Sequence, residues 1–365
     1  MRTPYYFSGT ILLVLAFVFS GCHNNDLGYG PIIENNIYFF GPNTENIEAK
    51  LQEALINMNN NGIIDLASGK YEFKTTLSLD GKDGITIRGA GLNKTILSFA
   101  NQQAGAEGLK ITNCTNLLLK GFTVENTKGD GIKTKDCTGV TYYQVGAVWT
   151  NGANEKNGAY GLYPVNCQHV LMDGCYAYGA SDAGIYVGQS NTVIVRNCKA
   201  EQNVAGIEIE NTSNSDVYNN TSINNTGGIL VFDLPNLLIA RGAKTRVFNN
   251  QIIDNNQDNF APAGNIVGEV PPGTGVLILA TDTVEVFNNT IKNNNRVGVG
   301  IINYLTIDAN VLSKDADYDP YPEHIAVYNN NFSKTNAITP STKPFALLFT
   351  IGFAGKPMPD VLIEA

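Results

Sequence analysis

The feature that most limits how this chain can fold is a glycine followed by apolar-x-apolar that returns every 22 or 23 residues. It stands at Gly108-Leu109-Lys110-Ile111, Gly131-Ile132-Lys133-Thr134, Gly161-Leu162-Tyr163-Pro164 and Gly184-Ile185-Tyr186-Val187. It continues at Gly206-Ile207-Glu208-Ile209, Gly228-Ile229-Leu230-Val231, Gly275-Val276-Leu277-Ile278 and Gly298-Val299-Gly300-Ile301. Successive glycines are 23, 30, 23, 22, 22, 47 and 23 residues apart, so 30 reads as one turn with an insertion and 47 as two turns with an insertion. Nine residues past the glycines come Leu117, Val140, Val170, Val193, Ser215 and Val284, and eleven past come Leu119, Tyr142, Met172, Val195, Val217 and Val286. Alternation with period two inside a longer repeat means short strands separated by turns and wound into a coil. One coil cannot bury its apolar face alone and must stack on its neighbours. The expected fold is therefore all-β, a parallel β-helix over residues 37–335.

Polar columns fit the same winding. Six residues past the glycines stand Cys114, Cys137, Cys167, Ser190 and Thr212, and thirteen past stand Asn197, Asn219 and Asn288, with Asn249 equivalent. Identical side chains stacked at about 4.8 Å form ladders. The cysteines, with Cys175 and Cys198 in a column of their own, read as buried small-residue ladders rather than a metal or disulfide cluster. Residues 44–58 read as an amphipathic helix with Thr44 as N-cap and Ile47, Leu51 and Leu55 on one face. Such a helix covers the open end of a solenoid. Residues 336–365 break the repeat and read as a C-terminal capping segment, with Phe345, Leu347, Leu348, Phe349 and Phe353 as its apolar covering.

A basic start, an apolar run over residues 11–19 and Ser20-Gly21-Cys22 describe a secretory signal peptide, too short to span a bilayer. Phe19-Ser20-Gly21-Cys22 resembles the bacterial lipobox, which implies lipid attachment at Cys22, export, and anchorage in a bacterial cell envelope facing the periplasm or the cell surface. Residues 23–36 read as a tether. With 24 basic and 33 acidic residues the net charge is −9, which leaves no electrostatic footprint for nucleic acid. Three histidines make a His-rich metal centre unsuitable, and no metal ligands are assigned. The acidic segment Asp315-Ala316-Asp317-Tyr318-Asp319-Pro320 fails the EF-hand pattern, with Pro320 where glycine belongs and Ala326 where glutamate belongs. It leaves calcium open as the sole cofactor.

Residues one and three past each glycine point inward, so those two and four past point outward. The first outward column runs Lys110, Lys133, Tyr163, Tyr186, Glu208, Leu230, Leu277, and the second Thr112, Lys135, Val165, Gly188, Glu210, Phe232, Leu279. This predicts an exposed strip changing from lysines to tyrosines to glutamates to apolar groups, about 20 Å long in its polar part. Lysines suit carboxylate or sulfate groups, and tyrosines suit sugar rings. The insertions at residues 149–160 and about 255–274 fall at one corner of the coil and would wall a groove beside the strip. For a lyase or epimerase acting on a uronic acid, a cation must neutralise the substrate carboxylate while a base and an acid handle protons. Lys133 and Lys135 are candidates for the cation, and Tyr163, Tyr186 and His169 for base or acid. Glycoside hydrolysis needs paired carboxylates instead, for which Asp182, Glu208, Glu210 and Asp233 are available, Asp182 first among them. Lys110, Lys135, Glu208, Glu210 and Phe232 are the candidate substrate contacts. The competing expectation is a non-catalytic carbohydrate-binding or structural scaffold.

The order Gly62-Ile63-Ile64-Asp65-Leu66, Gly69-Lys70-Tyr71-Glu72-Phe73 and Gly84-Ile85-Thr86-Ile87-Arg88-Gly89 resembles the entry to the pectate-lyase-like superfamily of right-handed β-helices. That resemblance spans about residues 40–335, and it implies the fold more than an activity. The segments 158–165, 181–190, 206–211 and 227–235 resemble a family of bacterial right-handed parallel β-helix-repeat lipoproteins of unassigned function.

Overall fold

Each coil lays down three short strands. In one turn these are Ala205–Glu210, Ser213–Tyr218 and Thr221–Ile223, separated by corners of two or three residues. Ile207, Ile209 and Val217 point into the coil and are fully buried, and Ile207 pairs in parallel with Ile185 below and Ile229 above. Repetition gives a parallel β-solenoid described by this computed structural model over residues 32–34, 36–334, 341, 346, 351–353 and 356–364. The glycine-led strands form one ten-stranded sheet running from Thr75–Asp80 to Val361–Ile363. The other strands form a 20-stranded system, in which the long strands Thr115–Glu125 and Thr138–Val148 bend from one face of the coil to the next. The inward columns at nine and eleven residues past the glycines are buried along the whole core.

The repeating glycines are required by close approach. A Cβ on Gly161 would meet the carbonyl oxygen of Gly184 in the next coil at 2.4 Å, nearer than real Cβ atoms come. The corners are turned by asparagines: Asn197, Asn219, Asn249, Asn288 and Asn329 all have φ of 55–56°, the left-handed region that Asn tolerates better than most residues. These corner asparagines therefore do not form the interior ladder expected of them. The ladder is one residue later, where Asn220, Asn250, Asn289 and Asn330 hand hydrogen bonds from coil to coil at 2.9–3.0 Å. Cys175 and Cys198 head that column: the Cys175 N–H donates to Cys198 Sγ, and the Cys198 N–H to Asn220 Oδ1. A second ladder joins Asn203, Asn225, Asn255 and Asn294. The Cys114–Cys137 and Cys167–Ser190–Thr212 contacts make the ladder expected at that column, and all five described thiols are free and buried.

Three expectations need correction. The 47-residue interval is one coil, not two: residues 233–242 replace a two-residue corner and residues 254–273 replace a three-residue one. The helix is Ile47–Asn57, preceded by Asn46 without a side-chain cap, while Thr44 Oγ1 accepts the Gly41 N–H in the turn before it. Leu51, Ala54 and Leu55 are its buried face, as the apolar spacing requires. Part of the expected C-terminal cap is instead the tenth strand of the sheet, Val361–Ile363, paired with Val297–Ile302. Cys22, residues 1–22, most of the tether, Phe345, Leu347, Leu348 and Phe349 lie outside the described residues.

Candidate functional site

The register of the ten-stranded sheet sets Lys133 beside Lys110 on one side and Tyr163 on the other, and sets Tyr186 beside Glu208 and Glu208 beside Leu230. The outward columns thus stand in the expected order. Only their first part is open to solvent, however. Lys110 and Lys135 are exposed, Thr112 and Lys133 half-buried, and Tyr163 half-buried. Beyond them the strip is covered: Tyr186 and Glu208 are 3% exposed, Glu210 7% and Phe232 1%. The cover is a second apolar layer in which Val267 and Val270 from residues 254–273, and Tyr304 and Tyr318 from residues 303–325, pack with Tyr186, Leu230, Phe232, Leu277 and Leu279. The expected open platform from Tyr186 onward is therefore an interior. Period-two alternation says which side of a sheet a residue takes, not whether another layer lies over it. The signal was present: Leu230, Phe232, Leu277 and Leu279 make those strands apolar on both faces, as strands covered on both faces are.

Open and covered halves meet at three tyrosines. Tyr160, one residue before Gly161 and absent from the candidates read from sequence, lies with its ring centroid 4.5 Å from Tyr163 and 4.3 Å from Tyr186, and Tyr163 and Tyr186 meet edge-on at 4.9 Å. Behind them three carboxyl groups converge. Tyr186 Oη donates to Glu210 Oε1 at 2.6 Å. Asp182 is 5% exposed, sits beside the Tyr160 hydroxyl, and its Oδ2 accepts from Asn265 Nδ2 at 3.3 Å. Glu208 Oε2 is buried and accepts no hydrogen bond among the described residues. At the open edge Lys133 Nζ lies 4.5 Å above the Tyr163 ring and 3.6 Å from Asp130 Oδ2.

Burial dominates the electrostatics. It pushes the Asp182 carboxyl up to about 8, assisted by the nearby Glu210 and Asp130 charges. Glu208 is raised well above the usual carboxylate range by burial and then by Asp182 and Glu210. Glu210 is raised by burial, with the Tyr186 hydrogen bond working in the opposite direction. All three shifts share one cause, since an ionised carboxylate without solvent is costly. The Tyr160, Tyr163 and Tyr186 phenols are all raised, chiefly by burial, and so stay protonated. Burial also raises Asp130, against the pull of Lys133.

The remaining candidates are dispersed. Lys135 is 3.7 Å from Asp136 Oδ2 and exposed. Asp233 is buried just past the end of strand Gly227–Phe232, where its Oδ1 accepts the Gly242 N–H at 3.2 Å and its carbonyl accepts the Tyr318 hydroxyl at 2.5 Å. It fastens the loop 233–242 to residues 303–325 and does not reach the tyrosines. His169 is exposed on the other strand system with φ 56°, so it is not a partner for Tyr163 or Tyr186. In the acidic segment Asp315 Oδ2 accepts the Asn236 N–H and Asp319 Oδ1 the Tyr321 N–H. Among the described residues no group of three or more His, Cys, Asp or Glu is arranged to hold a metal ion.

A parallel solenoid with its polar cluster on the outer face of one sheet defines a β-helix protein. A family model described as a right handed beta helix region matches residues 147–316, which include the tyrosines and all three buried carboxyl groups, and the chain is a right-handed β-helix protein. No curated protein matches the sequence. Among solved structures, pectate lyase Pel9A is 14% identical, with 84% of this chain and 81% of that one covered at a TM-score of 0.49. The A-module of mannuronan C-5 epimerase AlgE4 from Azotobacter vinelandii is 14% identical, covering 93% and 98% at 0.42. An alginate lyase from Paenibacillus sp. FPU-7 is 15% identical, covering 79% and 96% at 0.48. At such values none of these likenesses bears on what this chain binds or does.

Proposed function

We propose that this chain is a cell-envelope lipoprotein, anchored through Cys22, that binds an anionic polysaccharide along the open half of the ten-stranded sheet and modifies it by proton transfer, as a lyase or epimerase. One observation carries the reading: an acid poised near neutrality, Asp182 at about 8, stands behind a cluster of phenols whose outermost member, Tyr163, adjoins Lys133 at the solvent edge. A proton-transfer group works best with a pKa near the operating pH. In this account Lys133, with Lys110 and Lys135 further along, faces the uronate carboxylate and makes the adjacent C–H more acidic. Tyr163 contacts the sugar; in its ionised form Asp182 accepts, by way of Tyr160, the proton taken from the sugar C–H, and in its protonated form it returns one to the leaving oxygen or to the opposite face of the ring. Burial raises all three carboxyl groups, so they ionise less readily than exposed acids and repel an anionic chain less. Glu208, Glu210 and Phe232 support the tyrosines from behind rather than touching substrate.

A second reading, a non-catalytic carbohydrate-binding scaffold, is favoured by the cover itself, which keeps solvent from Tyr186, Glu208 and Glu210. One experiment separates the two. The chain from about residue 25 is incubated with a panel of uronate polysaccharides, while absorbance of unsaturated uronate ends and anomeric NMR signals are followed. Turnover that is lost in Tyr163→Phe and weakened in Lys133→Ala supports the enzyme. Binding without turnover supports the scaffold, and absence of both overturns the site. Mass spectrometry of the membrane-extracted protein tests Cys22, where an unmodified thiol contradicts the anchor.

A further inference from the structure

The open half of the ten-stranded sheet stops abruptly. Its outward residues form two columns that run along the solenoid axis over four strands: Ser78, Lys110, Lys133 and Tyr163 in one, Asp80, Thr112, Lys135 and Val165 in the other. Ser78, Asp80, Lys110 and Lys135 are exposed, and Thr112, Lys133 and Tyr163 are half-buried. Three strand spacings carry this face about 14 Å from Ser78 to Tyr163, the length of a short oligosaccharide. From the next strand onward none of the face is open. All six residues of Ala183–Gly188 are buried, as are all six of Ala205–Glu210, Gly227–Phe232, Thr274–Leu279 and Val297–Ile302. Both columns are therefore closed from Ala183–Gly188 onward, and the second is already buried at Val165.

A specific wall stands at that step. The Tyr186 side chain lies across its own strand: its hydroxyl reaches Glu210 Oε1, and a Cβ at Gly188 would collide with that hydroxyl and with the ring edge. One ring thus blocks both columns, and glycine at 188 leaves room for it. Tyr160 packs against this ring at 4.3 Å. Beside them the cover comes down to the strand, where Asn265 Nδ2, from residues 254–273, donates to Asp182 Oδ2 at 3.3 Å. Val267 and Val270 of the same segment are buried in the apolar layer, and the Asn259 amide braces the segment from within by donating to both of their carbonyls at 2.9 Å. An extended chain that follows the lysines toward the tyrosines has no path beyond Tyr163, whatever its charge.

We infer that the site takes the end of a polysaccharide chain and not its interior. This rests on the proposed function for the kind of ligand, and adds that the last sugar sits against Tyr163 while the rest of the chain leaves over Lys133 and Lys110 toward Ser78. Such a site accepts one end only, so a chain of any length binds one protein, whereas a groove open at both ends loads a long chain with many copies. The test is calorimetric binding of the chain from about residue 25 to galacturonate and to mannuronate, each as a tetramer and as a long polymer of uniform length. The expected result is one protein per sugar chain at both lengths, with the same affinity per mole of sugar chain. Lys133→Ala should weaken that binding by about tenfold, as loss of a hydrogen bond to a charged group does. Several proteins on each polymer chain overturn the inference and leave the proposed function standing. Binding of one per chain that Lys133→Ala leaves unchanged places the end elsewhere and also overturns it. No binding of either sugar at either length overturns the proposed function and the inference with it.

Discussion

Tyr186 and Glu210 belong to adjacent coils, and the phenol of one closes on the carboxyl of the other at 2.6 Å while both are almost wholly shielded from water. Residues 24 apart in sequence are neighbours only because the sheet is parallel and in register. Tyr186→Phe leaves Glu210 buried without this donor, and the Tyr186 bond is what lowers the Glu210 pKa. The expected result is a further rise in the Glu210 pKa and a loss of about 1–3 kcal/mol in urea unfolding. An unchanged unfolding midpoint contradicts the pair.

Asp182 gives stability a defined pH dependence. Its folded pKa, about 8, lies above the ordinary aspartate value of 3.8, so the folded state holds the proton more tightly than the unfolded chain. Its contribution is fully present below about pH 4 and is lost as pH rises to about 8. Asp182→Asn removes this dependence while keeping the shape. Urea titrations at pH 5 and pH 8.5 should show the variant gaining on the parent at the higher pH; an equal difference at both would contradict a buried neutral acid.

The asparagine ladder predicts a specific weak point. Asn250 Oδ1 accepts from both the main chain and the side chain of Asn220, and its own Nδ2 reaches Val217 O and Asn289 Oδ1. Asn250→Leu strands several buried donors and acceptors at once and should cost on the order of 3 kcal/mol or more. Substituting the corner residue Asn249 by Gly should cost far less, since only its backbone conformation is special. Thermal unfolding of the two variants gives the comparison, and equal losses contradict the one-residue offset.

Close packing of glycine on glycine is equally testable. Gly161→Ala drives a methyl into the Gly184 carbonyl, whereas Gly81→Ala meets nothing within 4 Å and must only adopt φ 65°. The first should lose several kcal/mol or fail to express, and the second about 1 kcal/mol. Similar behaviour of the two variants contradicts the explanation.

The winding was legible because its causes are local and repeated: Ile207 and Ile209 alternate, Gly206 recurs, and each instance corroborates the next. The cover was not, because it depends on where insertions fold back. Residues 254–273 share no repeat with the rest, and nothing in their order says that Val267 and Val270 join the apolar layer over Leu230, Phe232 and Leu277. Reading the 47-residue gap as two coils concealed the size of those insertions. Tyr160 was missed for a related reason. It precedes the glycine, outside the two columns taken to face solvent, and only the turn of the strand brings its ring against both Tyr163 and Tyr186. Asp182 and the tyrosine pair were legible as neighbours, and their burial was not.

The most direct test is a carboxyl ¹³C NMR titration of the chain labelled at aspartate, with Asp182→Asn to assign the signal. A resonance that loses its proton near pH 8 agrees with an acid held neutral behind Tyr160. A resonance that titrates near pH 4, as an exposed aspartate does, contradicts the covered cluster and the proton-transfer role built on it.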